Sequence, residues 1–472
     1  MDENKKLTEK LQLSRYTHFT EKNDLTAIYH SLRFHPLYLK SSMAKELLLF
    51  RKATNPAGFL QNKTEEEIEN WSSLIQLLVQ YGILVSSKET DDRTIAYYRD
   101  HIPKPGIYVA FFILTDACNF NCSYCFIEHD RRKNHFAERY MSESIALDGL
   151  DFFVEQIRKN KGQSDERKAI QFYGGEPLMN FKVLKKLLAR IQEYKRSNVL
   201  PDDIELTTVT NGSLLTREVV GFLKEHGVGI TISIDGDEFS TSNRLDHSGK
   251  PVYHRIMKGI ENCKSANAHF ALSVTLTEET IDNADRTMNT ILKISPDRVG
   301  FNLLLAGDHF SNIKEGYALR ASNFVINAFK QLRENGIVYE DNFIRKVESF
   351  AKSKVCVSDC GAVGGNQVII QPDGKIGACE GFLGERKYLV SDIYDKGFDP
   401  AQIDVYQEWG KRKPLLMEKC QDCIALGICG GGCLVGAIKN KGDIFALDDI
   451  KCSHMKNTVN WLIWDLYDNV KN

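Results

Sequence analysis

The chemistry of this chain starts at Cys118, Cys122 and Cys125, in the run TDACNFNCSYC at 115–125, directly after the apolar stretch IYVAFFIL. Three thiolates spaced C-x3-C-x2-C can share one soft metal centre, because thiolates select iron–sulfur clusters, zinc or copper(I) over hard cations. A cubane iron–sulfur cluster usually takes four cysteine ligands, one per iron. Three would leave one iron with an open position, and an open position lets a metal bind substrate. A structural zinc site with its fourth ligand elsewhere has the same local spacing.

A second group of sulfurs lies toward the carboxyl end. Cys356 and Cys360 come first, then Cys379 in QPDGKIGAC, then Cys420, Cys423, Cys429 and Cys433 in KCQDCIALGICGGGC, and last Cys452. The spacing C-x2-C-x5-C-x3-C, with Gly430, Gly431 and Gly432 permitting a sharp backbone wrap, suits metal ligation. A zinc ribbon built on C-x2-C pairs is the alternative. Of twelve cysteines, Cys263 alone stands apart, on the helical run HRIMKGIENCKSA, and reads as a semi-buried apolar residue.

The elements that must hold these residues follow from length and pattern. At 472 residues and 53.7 kDa the chain exceeds one ordinary core, so two or three domains are expected. Lys+Arg 61 against Asp+Glu 63 leaves a net charge of -2, which gives no sequence-wide case for binding nucleic acid or a membrane. No apolar run approaches the roughly 18 residues of a membrane span. The opening MDENKKLTEK lacks the apolar core of a signal peptide. A cytoplasmic protein is expected, where disulfides are rare and clustered cysteines read as metal ligands.

Residues 1–100 contain no cysteine. The stretch SRYTHFTEKNDLTAIYHSLRFHPLYL reads as strands with a polar turn at Glu21-Lys22-Asn23-Asp24. SSMAKELLLFRK follows as a helix capped by Ser41 or Ser42. In TEEEIENWSSLIQLLVQYGILV, Thr64 starts a longer helix whose stripe is Ile68, Trp71, Leu74, Ile75 and Leu78, and Gly82 ends it before a short strand. From about 105 to 306 six strand patterns (IYVAFFIL, AIQFY, IELTTVT, GITISI, FALSVTL and RVGFNLLL) alternate with helical ones, as in Leu184, Leu187, Leu188 and Ile191. This predicts a parallel sheet with crossover helices, and six units suggest an incomplete barrel. Polar residues gather at strand ends: Gly174, Gly175, Glu176 and Pro177 after the second, Thr210, Asn211 and Gly212 after the third, Ser233, Asp235 and Gly236 after the fourth. Ordinary strand-to-helix turns have the same composition. Residues 307–350 read as a helical linker with Phe324, Ile326, Phe329 and Leu332 apolar. The run Arg131-Arg132-Lys133 reads as a solvated loop.

The cysteine triplet, with Tyr124 before its last member, resembles the signature of the radical S-adenosylmethionine (SAM) superfamily. The resemblance covers about residues 105–460. It implies that an open iron chelates SAM and that one electron cleaves the sulfonium to a 5′-deoxyadenosyl radical. QFYGGEP is similar to the superfamily's GGEP motif, so the backbone of Gly174 and Gly175 and the Glu176 carboxylate are expected to grip the SAM ammonium. Asn211, Ser233 and Asp235 are expected to line the SAM pocket, and Arg244 to reach its carboxylate. The carboxyl-terminal block resembles the SPASM extension. That implies one auxiliary cluster on Cys356, Cys360, Cys379 and Cys433, and another on Cys420, Cys423, Cys429 and Cys452: three [4Fe-4S] clusters in all. Glu380, after Cys379, stands where the sulfatase-maturing branch has an aspartate proposed as a base.

The expected architecture is α/β, a partial (β/α)6 barrel at 105–306 with a winged-helix-like module at 1–100, the linker, and an iron–sulfur SPASM domain with a carboxyl-terminal helix at 351–472. The amino-terminal part resembles the recognition element of enzymes that modify ribosomally made peptides, which docks a leader peptide by strand addition. A structural cap and a DNA-reading winged helix are the alternatives, the second disfavoured because the helices carry no dense basic stripe. The expected activity is oxidation of a precursor peptide, such as formation of a Cys thioether cross-link, with an external electron donor such as flavodoxin or ferredoxin. A sulfatase-maturing oxidase, a nucleic-acid modifier and a non-catalytic iron–sulfur sensor are the competing readings.

Overall fold

The computed structural model describes residues 9–160, 167–305, 313–337 and 341–470. Most of the opening segment, and residues 306–312 and 338–340 of the expected linker, lie outside the described residues. Near the amino end, β1 (Gln12–Leu13), β2 (Thr17–Lys22), β3 (Leu25–His30) and β4 (Leu37–Lys40) precede a helical region, and β5 (Leu84–Val85) follows it. Strands β2, β3 and β4 form an antiparallel sheet, and β1 pairs with β5. Asn23 takes a positive φ of 57° in the expected turn, a conformation its short amide side chain tolerates. Thr64 caps the helix Glu65–Gln80 in a reciprocal box with Glu67, which satisfies two orphan N–H groups. Ser41 and Ser42 do not cap their helix. The strand runs straight into it, with Lys40 at the boundary, while the Ser41 hydroxyl lies 3.0 Å from Thr26 Oγ1. Sequence reading also missed the helix Lys88–Asp100.

All six expected central strands are present: β6 (Val109–Thr115), β7 (Ala169–Gly174), β8 (Glu205–Thr210), β9 (Val228–Ser233), β10 (Phe270–Leu276) and β11 (Arg298–Leu303). They run parallel in unbroken chain order. A doubly wound sheet would reverse its order at a switch point, so this is the arc of a partial barrel. Its helices face the sheet with the predicted stripes. Leu184, Leu187, Leu188 and Ile191 are all fully buried.

Two differences bear on the site. Within the expected linker, the helix Tyr317–Glu334 buries Phe324, Ile326, Phe329 and Leu332 and packs on β11 through an edge-to-face contact of Phe301 with Phe324, as a sixth barrel helix would. The sheet also continues past β6. β12 (Gln367–Ile370) lies parallel to β6, and β13 (Lys375–Gly377) and β14 (Leu389–Asp392) follow antiparallel. The turn Pro372-Asp373-Gly374 joins β12 to β13, with Gly374 at φ 81°. The cysteine-rich part is thus bonded into the barrel sheet. The long helix Asp449–Val470 then ties the ends of the chain together: Trp464 Nε1 donates to Thr20 Oγ1 (2.8 Å) and Tyr38 Oη donates to Ile463 O. Among the described residues no helix is long and apolar enough to cross a membrane.

Candidate active site

The loop carrying Cys118, Cys122 and Cys125 leaves the carboxyl end of β6, where barrel sites form. The Gly174-Gly175 turn at the end of β7 presses against it. A Cβ on Gly175 would stand 2.2 Å from Ala117 O, and one on Gly174 2.0 Å from Thr115 O, so only glycine permits the approach. Asn211, at the end of β8, donates from Nδ2 to Asn119 Oδ1 (2.8 Å) and lies 3.8 Å from Cys118 Sγ.

One cavity of about 810 Å³ joins this end of the barrel to the carboxyl-terminal cysteines. Cys118, Cys122 and Cys125 line it together with Gly174, Gly175, Asn211 and Ser233. Cys360, Cys379, Cys433 and Glu380 line it as well. Tyr173, between the two, has its phenol pushed up first by burial and then by Glu380, Cys125 and Cys379. Tyr124 and Arg244 also line the cavity.

The expected acidic residues brace the site from behind. Glu176 is fully buried; its Oε1 accepts from Leu178 N (3.1 Å) and Thr210 Oγ1 (2.8 Å), and its Oε2 from Asn211 N (2.7 Å). The carboxylate expected to grip an ammonium is spent tying the glycine turn to β8, and burial pushes its pKa up to about 7. Asp235 is likewise fully buried. It takes Arg244 Nε (2.9 Å) and Nη2 (2.8 Å), Tyr124 Oη (2.6 Å) and Thr275 N (3.0 Å). Arg244, expected to reach a carboxylate of the cofactor, is thus held in a two-point pair with Asp235, with its guanidinium 5.5 Å from the Tyr124 ring centre. The physical reason is common to both: a charged group 0–6% exposed must be paired within the protein.

The carboxyl-terminal thiols sort by proximity. Burial raises Cys356, Cys360, Cys379, Cys420, Cys429, Cys433 and Cys452. Beyond burial, Cys433 acts on Cys360, and Cys360 and Cys433 act on Cys379. Cys423 and Cys429 act on Cys420, and Cys420, Cys423 and Cys429 act on Cys452. Cys360, Cys379 and Cys433 thus neighbour one another, and Cys420, Cys423, Cys429 and Cys452 form a second group. Cys356 is set apart. The groups acting on it are Lys346, Asp359 and Arg345, and the buried Lys346 ammonium stands 3.6 Å from its Sγ, 3.0 Å from Asp359 Oδ1 and 3.4 Å from Cys429 O. Among the described residues no three His, Cys, Asp or Glu converge as a single-ion site; a cubane instead draws each sulfur to a different iron. Burial pushes the Cys122, Cys360 and Cys452 thiols up to about 12.

Glu380 Oε2 accepts from Gln367 Nε2 (3.1 Å). Gln367 and Tyr173 were missed by sequence reasoning, although strand period two puts Gln171 and Tyr173 on one face; nothing in the sequence marks Lys346. Cys263, expected to be semi-buried, is fully buried in the barrel core. The run Arg131-Arg132-Lys133 is not a loop but the last turn of the helix Phe126–Lys133, where Arg131 and Arg132 pair with buried Glu128.

Residues 112–291 match the Radical SAM superfamily model. The chain is 24% identical to the radical SAM cyclopropyl synthase TigE of Paramaledivibacter caminithermalis over 96% of each protein. It is 26% identical to the serine-type anaerobic sulfatase-maturating enzyme of Klebsiella aerogenes, over 70% of this chain and 81% of that one. Two solved structures share the fold. One is anSMEcpe with bound AdoMet and Cp18Cys peptide (TM-score 0.60, 16% identity, 77% of this chain and 99% of that one). The other is Streptococcus suis SuiB bound to S-adenosylmethionine (TM-score 0.54, 17% identity, 93% and 99%).

Proposed function

We propose that this chain, a radical SAM enzyme, oxidatively modifies a ribosomally made precursor peptide, forming an intrapeptide cross-link such as a Cys thioether. The observation that carries this reading is the one cavity lined both by Cys118, Cys122 and Cys125 and by Cys360, Cys379 and Glu380. A peptide side chain placed there meets a hydrogen-abstracting centre and a carboxylate at once.

The residues fit the cofactors the superfamily implies. Cys118, Cys122 and Cys125 would hold a [4Fe-4S] cluster, and the Gly174-Gly175 backbone, Asn211 and Ser233 would line the place of SAM. Cys360, Cys379 and Cys433 with Cys356, and Cys420, Cys423, Cys429 and Cys452, would hold two auxiliary [4Fe-4S] clusters. When bound, SAM and its cluster supply the one-electron chemistry by which a substrate hydrogen atom is removed. The chain's own residues do the rest. Asp235 fixes Arg244 and Tyr124, and Glu176 fixes the glycine turn against the cysteine loop. Glu380, oriented by Gln367, takes the thiol proton as sulfur bonds to carbon. Closing a thioether removes two hydrogens and two electrons from the peptide. One electron leaves with the abstracted hydrogen atom, and the auxiliary clusters that Cys356, Cys360, Cys379 and Cys433 and Cys420, Cys423, Cys429 and Cys452 would hold would supply the route by which the other reaches an external acceptor. Flavodoxin or ferredoxin is the proposed external electron donor.

The relationship to sulfatase-maturating enzymes favours a second reading, oxidation of a Cys or Ser in a sulfatase. The test uses reconstituted full-length protein, SAM and reductant, with a small peptide encoded beside the gene, supplied with and without its leader. Formation of 5′-deoxyadenosine and a mass loss of two hydrogens from the leader-bearing peptide is expected. Equal turnover of a short sulfatase peptide would favour the second reading. No 5′-deoxyadenosine with any substrate would leave a sensor.

A further inference from the structure

The loop that carries Cys420, Cys423 and Cys429 has a wall made from the opposite end of the chain. Gly427 donates its N–H to Ser31 O (3.1 Å). A Cβ at Gly427 would stand 2.3 Å from that same oxygen and 2.8 Å from Phe34 Cζ, so the two segments meet as closely as backbone allows. Cys420 packs on the core of Tyr16, Leu32 and Leu426. Cys423 and Cys429 pack on that of Ala27, Tyr29 and Phe34. Arg15 reaches Asp422, beside Cys423, through Nε (3.3 Å) and Nη2 (3.0 Å).

The same wall carries an unusual polar deficit. Tyr16 Oη, His18 Nε2, Tyr29 Oη and Ser31 Oγ are buried without a hydrogen-bond partner. A buried polar group left unmet in this way is costly to the folded state. Four of them in one small β-structure, packed against a loop of cysteines, suit a neighbour rich in anionic sulfur, since cluster sulfurs accept hydrogen bonds from the surrounding protein.

We propose that the amino-terminal module is a wall of the second auxiliary cysteine site, with Ser31 and Gly427 as positioning residues, so that metal occupancy there and docking of the module stabilise each other. This rests on the reading that Cys420, Cys423, Cys429 and Cys452 hold a metal cluster. Linkage makes the coupling reciprocal: loss of the metal loosens the module, and a wedge between module and loop loosens the metal. A peptide bound on the module would then be felt at the cluster without touching it.

The experiment measures iron per chain and backbone hydrogen exchange across residues 26–34 in anaerobically reconstituted full-length protein, wild type and three variants. Cys423→Ala is expected to lose about a third of the iron and to speed exchange in 26–34 on the order of tenfold. Cys379→Ala, in the other set, is expected to lose a similar share of iron with exchange in 26–34 unchanged. Gly427→Ala, whose new methyl pushes on Ser31 O, is expected to behave like Cys423→Ala. Loss of iron in Cys423→Ala with unchanged exchange overturns the coupling while leaving the metal reading intact. Wild-type iron in Cys423→Ala overturns the metal reading and the coupling with it. Full iron in Gly427→Ala overturns the coupling whatever its exchange, and so does equal loosening by Cys379→Ala.

Discussion

Replacing Asp235 by asparagine separates bracing from direct cofactor contact in this site. The carboxylate accepts four hydrogen bonds, two from Arg244, one from Tyr124 and one from Thr275 N, and it is fully buried. Asparagine keeps one acceptor oxygen and turns an NH2 group toward donors. It also strips the counter-charge from a guanidinium that is 6% exposed. Removing one partner of a buried pair costs about 3–5 kcal/mol, because the other charge stays buried and uncompensated. Removing both charges, as in Asp235→Asn with Arg244→Met, should recover most of that cost. Thermal unfolding of the metal-free protein isolates this effect from cluster loading. In the reconstituted protein, the loosened Tyr124 and Arg244 should weaken SAM binding about 10–100-fold, the range seen when groups supporting a ligand set are lost. If the single variant melts with the wild type, or the double variant melts no higher than the single, the bracing role of Asp235 is wrong.

Three further outcomes follow from named contacts. Burial raises the Glu176 pKa from 4.5 to about 7, so the folded state holds the proton more tightly than the unfolded one. Its contribution to stability is therefore present below about pH 4.5 and lost as pH rises to about 7, on the order of 3 kcal/mol; melting temperature against pH should show this fall, and Glu176→Gln should flatten it. Glu380→Gln should leave 5′-deoxyadenosine formation in place but cut product about 100-fold, the lower end for loss of a general base, and an equal loss of both would remove Glu380 from that role. Gly175→Ala, with its Cβ 2.2 Å from Ala117 O, should keep the circular dichroism of the wild type but lose SAM cleavage, and full activity would show that the close approach is dispensable.

The parts legible in the sequence are those governed by local period or spacing. The six strands and their helices obey periods of two and 3.6, and the cysteine spacings separate two cysteine-rich regions. The unread parts depend on partners distant in sequence. QVII is too short to reveal whether it is strand or helix, and its pairing with β6 lies about 250 residues away along the chain. Glu176 was identified by type at the right strand end and Arg244 in the loop after β9, yet which way a buried charge turns depends on where its counter-group sits in the fold. Arg131 and Arg132 read as solvated because Glu128, three and four positions back, is buried only once Phe126–Lys133 is helical. The module at 1–100 shows its turn and its Thr64 cap in the sequence, but not that Ser31 would meet Gly427.

The pairing of β12 with β6 also explains how two cysteine regions so far apart in sequence serve one cavity. β13 runs antiparallel to β12, and Ile369 pairs with Gly377, so Cys379 and Glu380 emerge level with Gln367, which pairs with Val109 at the start of β6. The triplet Cys118, Cys122 and Cys125 emerges from the other end of the same strand. β6 thus carries one site at its carboxyl end and fixes the other beside its amino end, and Gln371, Pro372, Asp373 and Gly374 form the turn that makes this possible. A slip of one residue in the β12 register would turn Gln367 to the opposite face of the sheet, taking with it the amide that holds Glu380 Oε2 and Ala378 O. Placement of the carboxylate relative to the radical-forming side is therefore set by sheet register, which is more rigid than any linker between separately folded domains could be.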